Sequence, residues 1–388
     1  MWVNAAESVG EALSKGLHAL RVRGIRQPSR VGDVLVHPHP VLTVYENPLN
    51  RVLNDPLRDA NPFFHVMESL WMLAGRNDLP WLAQFNKRIA SYSDNGGATQ
   101  PGAYGYRWRN YFGYDQLETI IVELKNNPQT RRAVLSMWDG GAQFYDDKER
   151  PYACHFRGGD LLNAIAGSAD VPCNTHAYFD TIDGRLNMTV CNRSNDIWWG
   201  AHGANAVHFS FLLEYVASMT GIPMGVYRQF SNNYHIYTNV VAEEQLMPMA
   251  RSIEQSDIYF ARSGPLRGPA LPLTRVPLIG PALYGTADPA TASIITEWTH
   301  NPESVHSYVP FLADAALPMW NAWHAFKAKD YEKALAEAFT IRAEDWRTAC
   351  VDWLKRRKQR AEVNNKPFTE QIEPPADINT EHVNDRSA

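Results

Sequence analysis

The chain has 388 residues, of which 45% are hydrophobic and 20% charged, the balance of a globular protein with a sizeable core. A formal net charge of -5 offers no bulk attraction for a polyanion, so no nucleic-acid partner is expected. Four cysteines (Cys154, Cys173, Cys191 and Cys350) show no CxxC or Cys/His ligand spacing, so no metal is expected. The lack of a leader pattern or a long apolar run predicts a reducing cytoplasm and no membrane.

Val9, Leu13, Leu17 and Leu20 recur at helical spacing and predict an amphipathic helix over residues 4–21. Residues 30–49 mix β-branched residues with prolines, which predicts extended or edge-strand chain. A helix follows over 61–75, with Pro62 in its first turn and Gly75 as its stop. Residues 80–110 predict a loop-rich surface, leading to a helix over 114–127 and a strand over 131–139. Next come a hairpin over 171–196, a helix from Asn205 to Met219 ended by Gly221 and Pro223, and a strand over 225–237. Residues 260–290 are rich in Pro and Gly and irregular, and 313–360 carry Ala- and Trp-rich helical patterns. The last twenty or so residues are polar and predicted to be disordered. This divides the chain into 1–250, an irregular segment with a helical extension over 251–365, and a tail over 366–388.

Asp183-Gly184 between alternating apolar runs is a strong signal for a two-residue type I′ turn, which makes Ile182 face Arg185. Carried down without a bulge, that register sets Cys173 opposite Ser194, with Arg193 beside it and Asp196 just beyond. A guanidinium there would stabilise a thiolate or hold an anion. In the 61–75 helix Glu68 shares a face with Phe64 and Trp71. A carboxylate on such a stripe suits a general acid or base, the alternative being a helix-edge side chain reaching water. Arg131-Arg132 at a strand start suits phosphate recognition or plain surface charge. His235 and Tyr237 share one strand face and can both bind a hydroxyl.

Together these segments resemble the thymidylate synthase family, including its pyrimidine-nucleotide hydroxymethylase branch. The resemblance is carried in chain order by "SRVG" (29–32), "FHVMESLWMLAG" (64–75), "YGYRWR" (104–109), "TRRAVLSMW" (130–138), "VPC" (171–173), "RSNDIWWGAHGAN" (193–205) and "HIY" (235–237). It spans roughly residues 10–245 and implies an α+β subunit around a twisted, mostly antiparallel sheet with surrounding helices, here with a C-terminal helical extension. It implies a homodimer that binds a pyrimidine nucleoside monophosphate and 5,10-methylenetetrahydrofolate as one-carbon donor. Cys173 would add to C6 of the base, its thiol lowered by nearby arginines. Arg30, Arg193 and Ser194 would hold the 5′-phosphate, with Arg131 and Arg132 supplied by the second subunit. His235 and Tyr237 would hold the ribose hydroxyl, and Asn205 would read the base edge. Asp196 would orient the pterin, with Arg58, Trp71 and Gly200 also at the folate, while Glu68 and Tyr104 would move protons through water.

Four departures from the synthase pattern bear on how the reaction ends. Asn174 follows the nucleophile where synthases carry His. "IASYSD" (89–94) runs one residue short and lacks the tryptophan that shields the methylene intermediate from water. "GAHGAN" (200–205) is one residue longer than usual and lacks a proline. Finally, the chain continues into helices where synthases end in a short apolar tail. An open pocket favours water over hydride, so these features predict a hydroxymethylase acting on dUMP, with thymidylate synthase as the alternative. An amide at Asn205 goes with uracil in the family; flipped, it also suits cytosine, leaving dCMP or CMP open. Such an enzyme fits a bacteriophage with modified DNA or a nucleoside-antibiotic pathway. Outside the family stand a cysteine hydrolase using Cys173 with His176 or His235, and a non-catalytic nucleotide-binding scaffold.

Overall fold

The computed structural model describes residues 1–145, 154–157, 159–259, 273–280, 290–304 and 309–364. Most of the irregular 260–290 stretch, and the polar tail over 366–388, lie outside the described residues. The strands are β1 (Trp2–Ala6), β2 (Ile25–Ser29), β3 (Gly32–Val36), β4 (Val41–Tyr45), β5 (Val134–Ser136), β6 (Ala142–Tyr145), β7 (Cys154–Arg157), β8 (Asn174–Ile182), β9 (Arg185–Asn192), β10 (Asn195–Asp196), β11 (Met224–Ser231) and β12 (Tyr234–Tyr237). The helices are α1 (Val9–Arg23), α2 (Pro62–Leu73), α3 (Leu79–Ala83), α4 (Tyr104–Tyr106), α5 (Gln116–Asn126), α6 (Asp160–Ile165), α7 (Asn205–Thr220), α8 (Leu246–Ser256), α9 (Thr291–His300), α10 (Leu317–Lys327), α11 (Tyr331–Phe339) and α12 (Glu344–Asn364).

Alternation of buried and less buried residues along β4 and the ends of β9 and β11 is the signature of strands with one face on a core. They form a six-stranded sheet in the order β1-β4-β11-β9-β8-β5. Most of its pairings are antiparallel, while β1–β4 and β9–β11 run parallel and are joined by helical crossovers. A second sheet, β10-β12-β3-β2, lies beside it. This mixed architecture with helices packed around it is the expected α+β class.

Helix α7 is apolar around nearly its whole circumference, and all but one of its residues are buried. It is the central helix, packed by α2 and α5 and laid on β9 and β11. Its first turn therefore sits deep in the molecule, next to the end of the 171–196 hairpin. Helix α2 is capped by Asn61, whose side chain accepts from the Phe64 amide, and starts with Pro62 as expected.

Some boundaries differ from expectation for tertiary reasons. Residues 2–6 form a strand because they pair with 41–45, so α1 starts only at Val9, capped by Ser8. The single strand expected over 225–237 is two strands: β11 stays in the large sheet, and β12 joins the second sheet beyond Asn232-Asn233. Residues 30–49 supply β3 and β4, and the loop-rich 80–110 stretch contains α3, α4 and other short helical turns.

The C-terminal helices share the core of the rest. Phe63 on α2 meets the rings of Trp323 and Trp353, each at 5.6 Å, and Phe326 lies 5.0 Å from Trp353. Helix α12 also reaches back with Arg356 (3.2 Å), Arg357 (2.7 Å) and Arg360 (3.1 Å), all on the carboxylate of Asp59.

Candidate active site

The β8–β9 hairpin turns at Asp183 (φ 51°) and Gly184 (φ 70°), and Ile182 faces Arg185 as expected. Pairing descends evenly to His176 opposite Cys191 and then slips by one, so that Asn174 faces Asn192. Thr175 is the bulged residue: its carbonyl takes the amides of both Met137 and Trp138, each at 2.9 Å. The no-bulge register is thereby corrected. Cys173 lies opposite Arg193, not Ser194, and its carbonyl accepts the Arg193 amide at 3.0 Å. The Arg193 side chain folds onto the chain that carries the thiol, donating to the carbonyls of Pro172 (2.8 Å) and Val171 (3.0 Å). Its guanidinium stands 5.5 Å from the Trp138 ring centre.

Around the thiol the structure gathers several of the expected groups. Burial pushes the Cys173 thiol up; Arg193 and Arg30 pull it down, while Asp196 and Asp170 add to the rise. The net direction is upward, opposite to the expectation of a thiol lowered by arginines, because burial outweighs the cations. Arg30 comes from the β2–β3 turn, and its charge also reaches Tyr237. Asp196 is the register partner of His235 in the second sheet. The ring of His235 meets Tyr237 edge-on at 5.2 Å. Asp196 caps the turn after it, its Oδ1 accepting the Trp199 amide at 2.6 Å. Its Oδ2 is buried with no hydrogen-bond partner among the described residues, and burial raises the carboxyl.

Glu68 faces α7: its Oε2 lies 2.9 Å from Nε2 of His208, whose side chain is almost fully buried. The hydroxyl of Tyr104 is held by the backbone amides of Cys173 and Asn174, and burial and then the thiol push the phenol up, so it stays a proton donor. Asn174 is fully buried, and neither end of its amide is hydrogen-bonded among the described residues. Arg58 donates to the Trp198 carbonyl at 2.7 Å and lies 4.8 and 5.0 Å from the Trp198 and Trp199 rings. Burial lowers it to about 10, against the carboxylates of Asp196, Asp59 and Asp55.

The extra residue in "GAHGAN" is absorbed by a wide helical turn over 197–204 that breaks at Gly203. His202 pins that turn: its ring nitrogens meet the hydroxyls of Tyr45 (2.8 Å) and Tyr234 (2.6 Å). Asn205 thus opens α7 with its Nδ2 3.3 Å from Oδ1 of Asn195. Gly200 stands against this pair, since a Cβ there would lie 2.9 Å from the Asn195 oxygen.

Three expected residues stand apart from the cluster. Trp71 is 2% exposed, and its indole N–H is used on the Asp78 carbonyl at 3.0 Å, so it offers a ligand no polar atom. Arg131 and Arg132 are exposed before edge strand β5. The register Val134–Tyr178 puts Arg132 level with Asp180, about 20 Å or more along the strand from Cys173. Within one subunit they cannot share its phosphate site.

Sequence reading missed four residues. His208, on the helix facing Glu68, and Gln229, on β11, carry no local signal. Asn195 lies inside a segment read for its neighbours. Asp170 precedes the nucleophile by three residues; its carboxylate accepts the Gly102 amide at 2.5 Å, and burial raises it to about 6. An acid so close to the thiol in sequence was the one available hint.

The family model for thymidylate synthase matches residues 60–258. A deoxyuridylate hydroxymethyltransferase of Pseudomonas phage M6 is 42% identical over 92% of this chain and 95% of its own length. A protein of the same name from Bacillus phage SP01 is 35% identical over about half of each chain (51% and 49%). A thymidylate synthase of Symbiobacterium thermophilum is 30% identical over 46% of this chain and 60% of its own. A thiol flanked by cations and carboxylates at the foot of a bulged hairpin, the family match over half the chain and the near full-length relative agree, and the chain belongs to the thymidylate synthase family.

Proposed function

We propose that this protein hydroxymethylates C5 of dUMP, converting dUMP, 5,10-methylenetetrahydrofolate and water into 5-hydroxymethyl-dUMP and tetrahydrofolate. The observation that carries this reading is the grouping of Arg193, Arg30, Asp196 and Tyr104 around Cys173, in a chain whose near full-length relative bears that activity in its name.

Cys173 adds as thiolate to C6 of the base, which makes C5 nucleophilic. With the thiol raised in the free protein, the step needs a base at hand. Glu68, paired with His208, and Tyr104 are the groups placed to pass protons. Arg30, Arg193 and Ser194 bind the 5′-phosphate, Arg131 and Arg132 of a second copy complete that site, and His235 and Tyr237 hold the sugar. The family takes its carbon from methylenetetrahydrofolate, which when bound supplies a one-carbon unit at the oxidation level of formaldehyde. The residues present suit it: the orphaned Asp196 Oδ2 can accept from a pterin N–H, and Arg58 beside the Trp198–Trp199 turn offers a cation and a flat face. The Gly200 turn lies next to them.

Water as the final nucleophile is supported by the segment over 89–94. Ala90 packs there against Gly97, and no indole stands in the segment to exclude solvent. Asp94 ties it to the approach to Cys173, accepting from Ser168 Oγ (2.5 Å) and the Ala169 amide (2.8 Å). The catalytic unit is residues 1–250, and the helical extension is its brace.

The test is turnover of dUMP, dCMP and CMP in separate reactions with methylenetetrahydrofolate, products read by mass. Gain of CH2O on dUMP with release of tetrahydrofolate is the expected result. Gain of CH2 with dihydrofolate would make the protein a synthase, and no turnover of any of the three would overturn the reading.

A further inference from the structure

Asn205 ends a relay of three side-chain amides whose polarity is set at its far end. Gln229 Nε2 donates to the Ala201 carbonyl at 2.9 Å, and the Tyr45 hydroxyl donates to the same oxygen at 2.8 Å. A carbonyl can only accept, so Gln229 must turn its nitrogen there and its oxygen the other way. That oxygen takes Nδ2 of Asn195 at 2.8 Å, and Ser231 Oγ takes the second proton of the same nitrogen at 2.9 Å. Asn195 is left with its oxygen facing α7, where Asn205 Nδ2 meets it at 3.3 Å. Gln229 and Ser231 are fully buried and Asn195 is 2% exposed, so water does not compete for these bonds. Gly200 keeps the space clear.

The amide of Asn205 therefore cannot turn over without setting its oxygen against the oxygen of Asn195. One N–H and the carbonyl oxygen of Asn205 remain for a ligand. Uracil presents an acceptor at O4 beside a donor at N3, and cytosine presents the reverse. A locked amide satisfies one of these patterns, and a free one satisfies both.

Resting on the reading above that Asn205 meets the base edge, we infer that Asn195 is a positioning residue for base choice. Set by Gln229 and the Ala201 carbonyl, it fixes which way the Asn205 amide faces and so holds the site to uracil over cytosine.

The test is calorimetric titration of the full chain with dUMP and with dCMP, without folate, for the wild type, Asn195→Leu and Gln229→Met. The expected result is a dUMP preference in the wild type that falls by about ten-fold or more in both variants. A residue with a merely structural role would weaken both nucleotides together. An unchanged ratio in both variants, whatever the loss of affinity, overturns the inference. Where the leucine variant does not fold, Asn195→Ser carries the same comparison. Failure of the wild type to make a hydroxymethyl product would count against the proposed activity alone, because the binding ratio needs no turnover.

Discussion

Helix α2 buries opposite chemistry on its two sides. Phe63 points to the C-terminal helices, where Trp323, Trp353 and Phe326 pack ring on ring. Glu68 points to α7, where His208 meets it, and on the side of the thiol Asn174, Asp196 and His235 hold buried polar atoms without hydrogen-bond partners among the described residues. Each such atom costs the fold about 1–3 kcal/mol while it lacks a partner. The aromatic cluster on the other side leaves the indole nitrogens of Trp323 and Trp353 without partners among the described residues too, but sets them in a large, tightly packed apolar surface. A site that keeps polar groups ready for a ligand needs a rigid support elsewhere, and on the proposed reading the helical extension is that support.

The sharpest way to break this comparison is to remove the proposed nucleophile. Cys173→Ala is expected to lower turnover by about 10⁴-fold or more while dUMP still binds, since the proposed phosphate and sugar contacts are untouched. Retained turnover would remove the chemistry from the pocket side. On the other side, Trp353→Ala deletes a side chain that is 4% exposed and is expected to cost about 3–5 kcal/mol in chemical denaturation. Its effect on the dUMP-to-dCMP binding ratio should be negligible; a changed ratio would mean that the extension takes part in recognition. Glu68→Gln keeps the shape of α2 and removes the charge that faces His208. Turnover should drop by about 10²–10³-fold with nucleotide affinity within a few-fold, and full activity would exclude Glu68 from proton transfer.

Much of the pocket was legible because its parts are local. Asp183-Gly184 fixed the turn, Pro62 and Gly75 bounded α2, and the alternation through Cys191 marked β9. What failed was set by distant chain. The bulge at Thr175 depends on the amides of Met137 and Trp138 just beyond β5, thirty-seven and more residues away by sequence, so the register one step below it could not be read from the hairpin alone. The upward shift of Cys173 depends on how deeply the folded chain buries it, which no spacing records. The relay through Asn195 and Gln229 joins β10 to β11 and was equally invisible, as was the partner of Glu68. The end of strand β1, residues 4–6, falls in the span whose spacing predicts a helix, because the determinant of the strand, the parallel register with β4, lies about forty residues downstream.

The smallest expected effects separate the two sides by sign. Asp170, on the approach to Cys173, is raised by burial to about 6, above its unfolded value of 3.8. The folded protein then holds a proton that the unfolded chain has released, so stability falls as pH rises from about 4 to about 6. Asp170→Asn removes this loss and should be more stable than the wild type at pH 7 by about 2 kcal/mol, the gap opening over that window. Asp59, under α12, is buried too, but Arg357, Arg356 and Arg360 hold its carboxyl below the ordinary value. Its contribution is present in full above the unfolded value and is lost as pH falls through the folded one. Asp59→Asn should therefore be less stable than the wild type at pH 7 by about 1 kcal/mol, the gap closing below about pH 4. Thermal melts of the three proteins across this range decide the matter. Opposite slopes would assign one carboxylate to a pocket that spends stability and the other to a brace that supplies it, whereas slopes of the same sign would end the distinction between the two faces of α2.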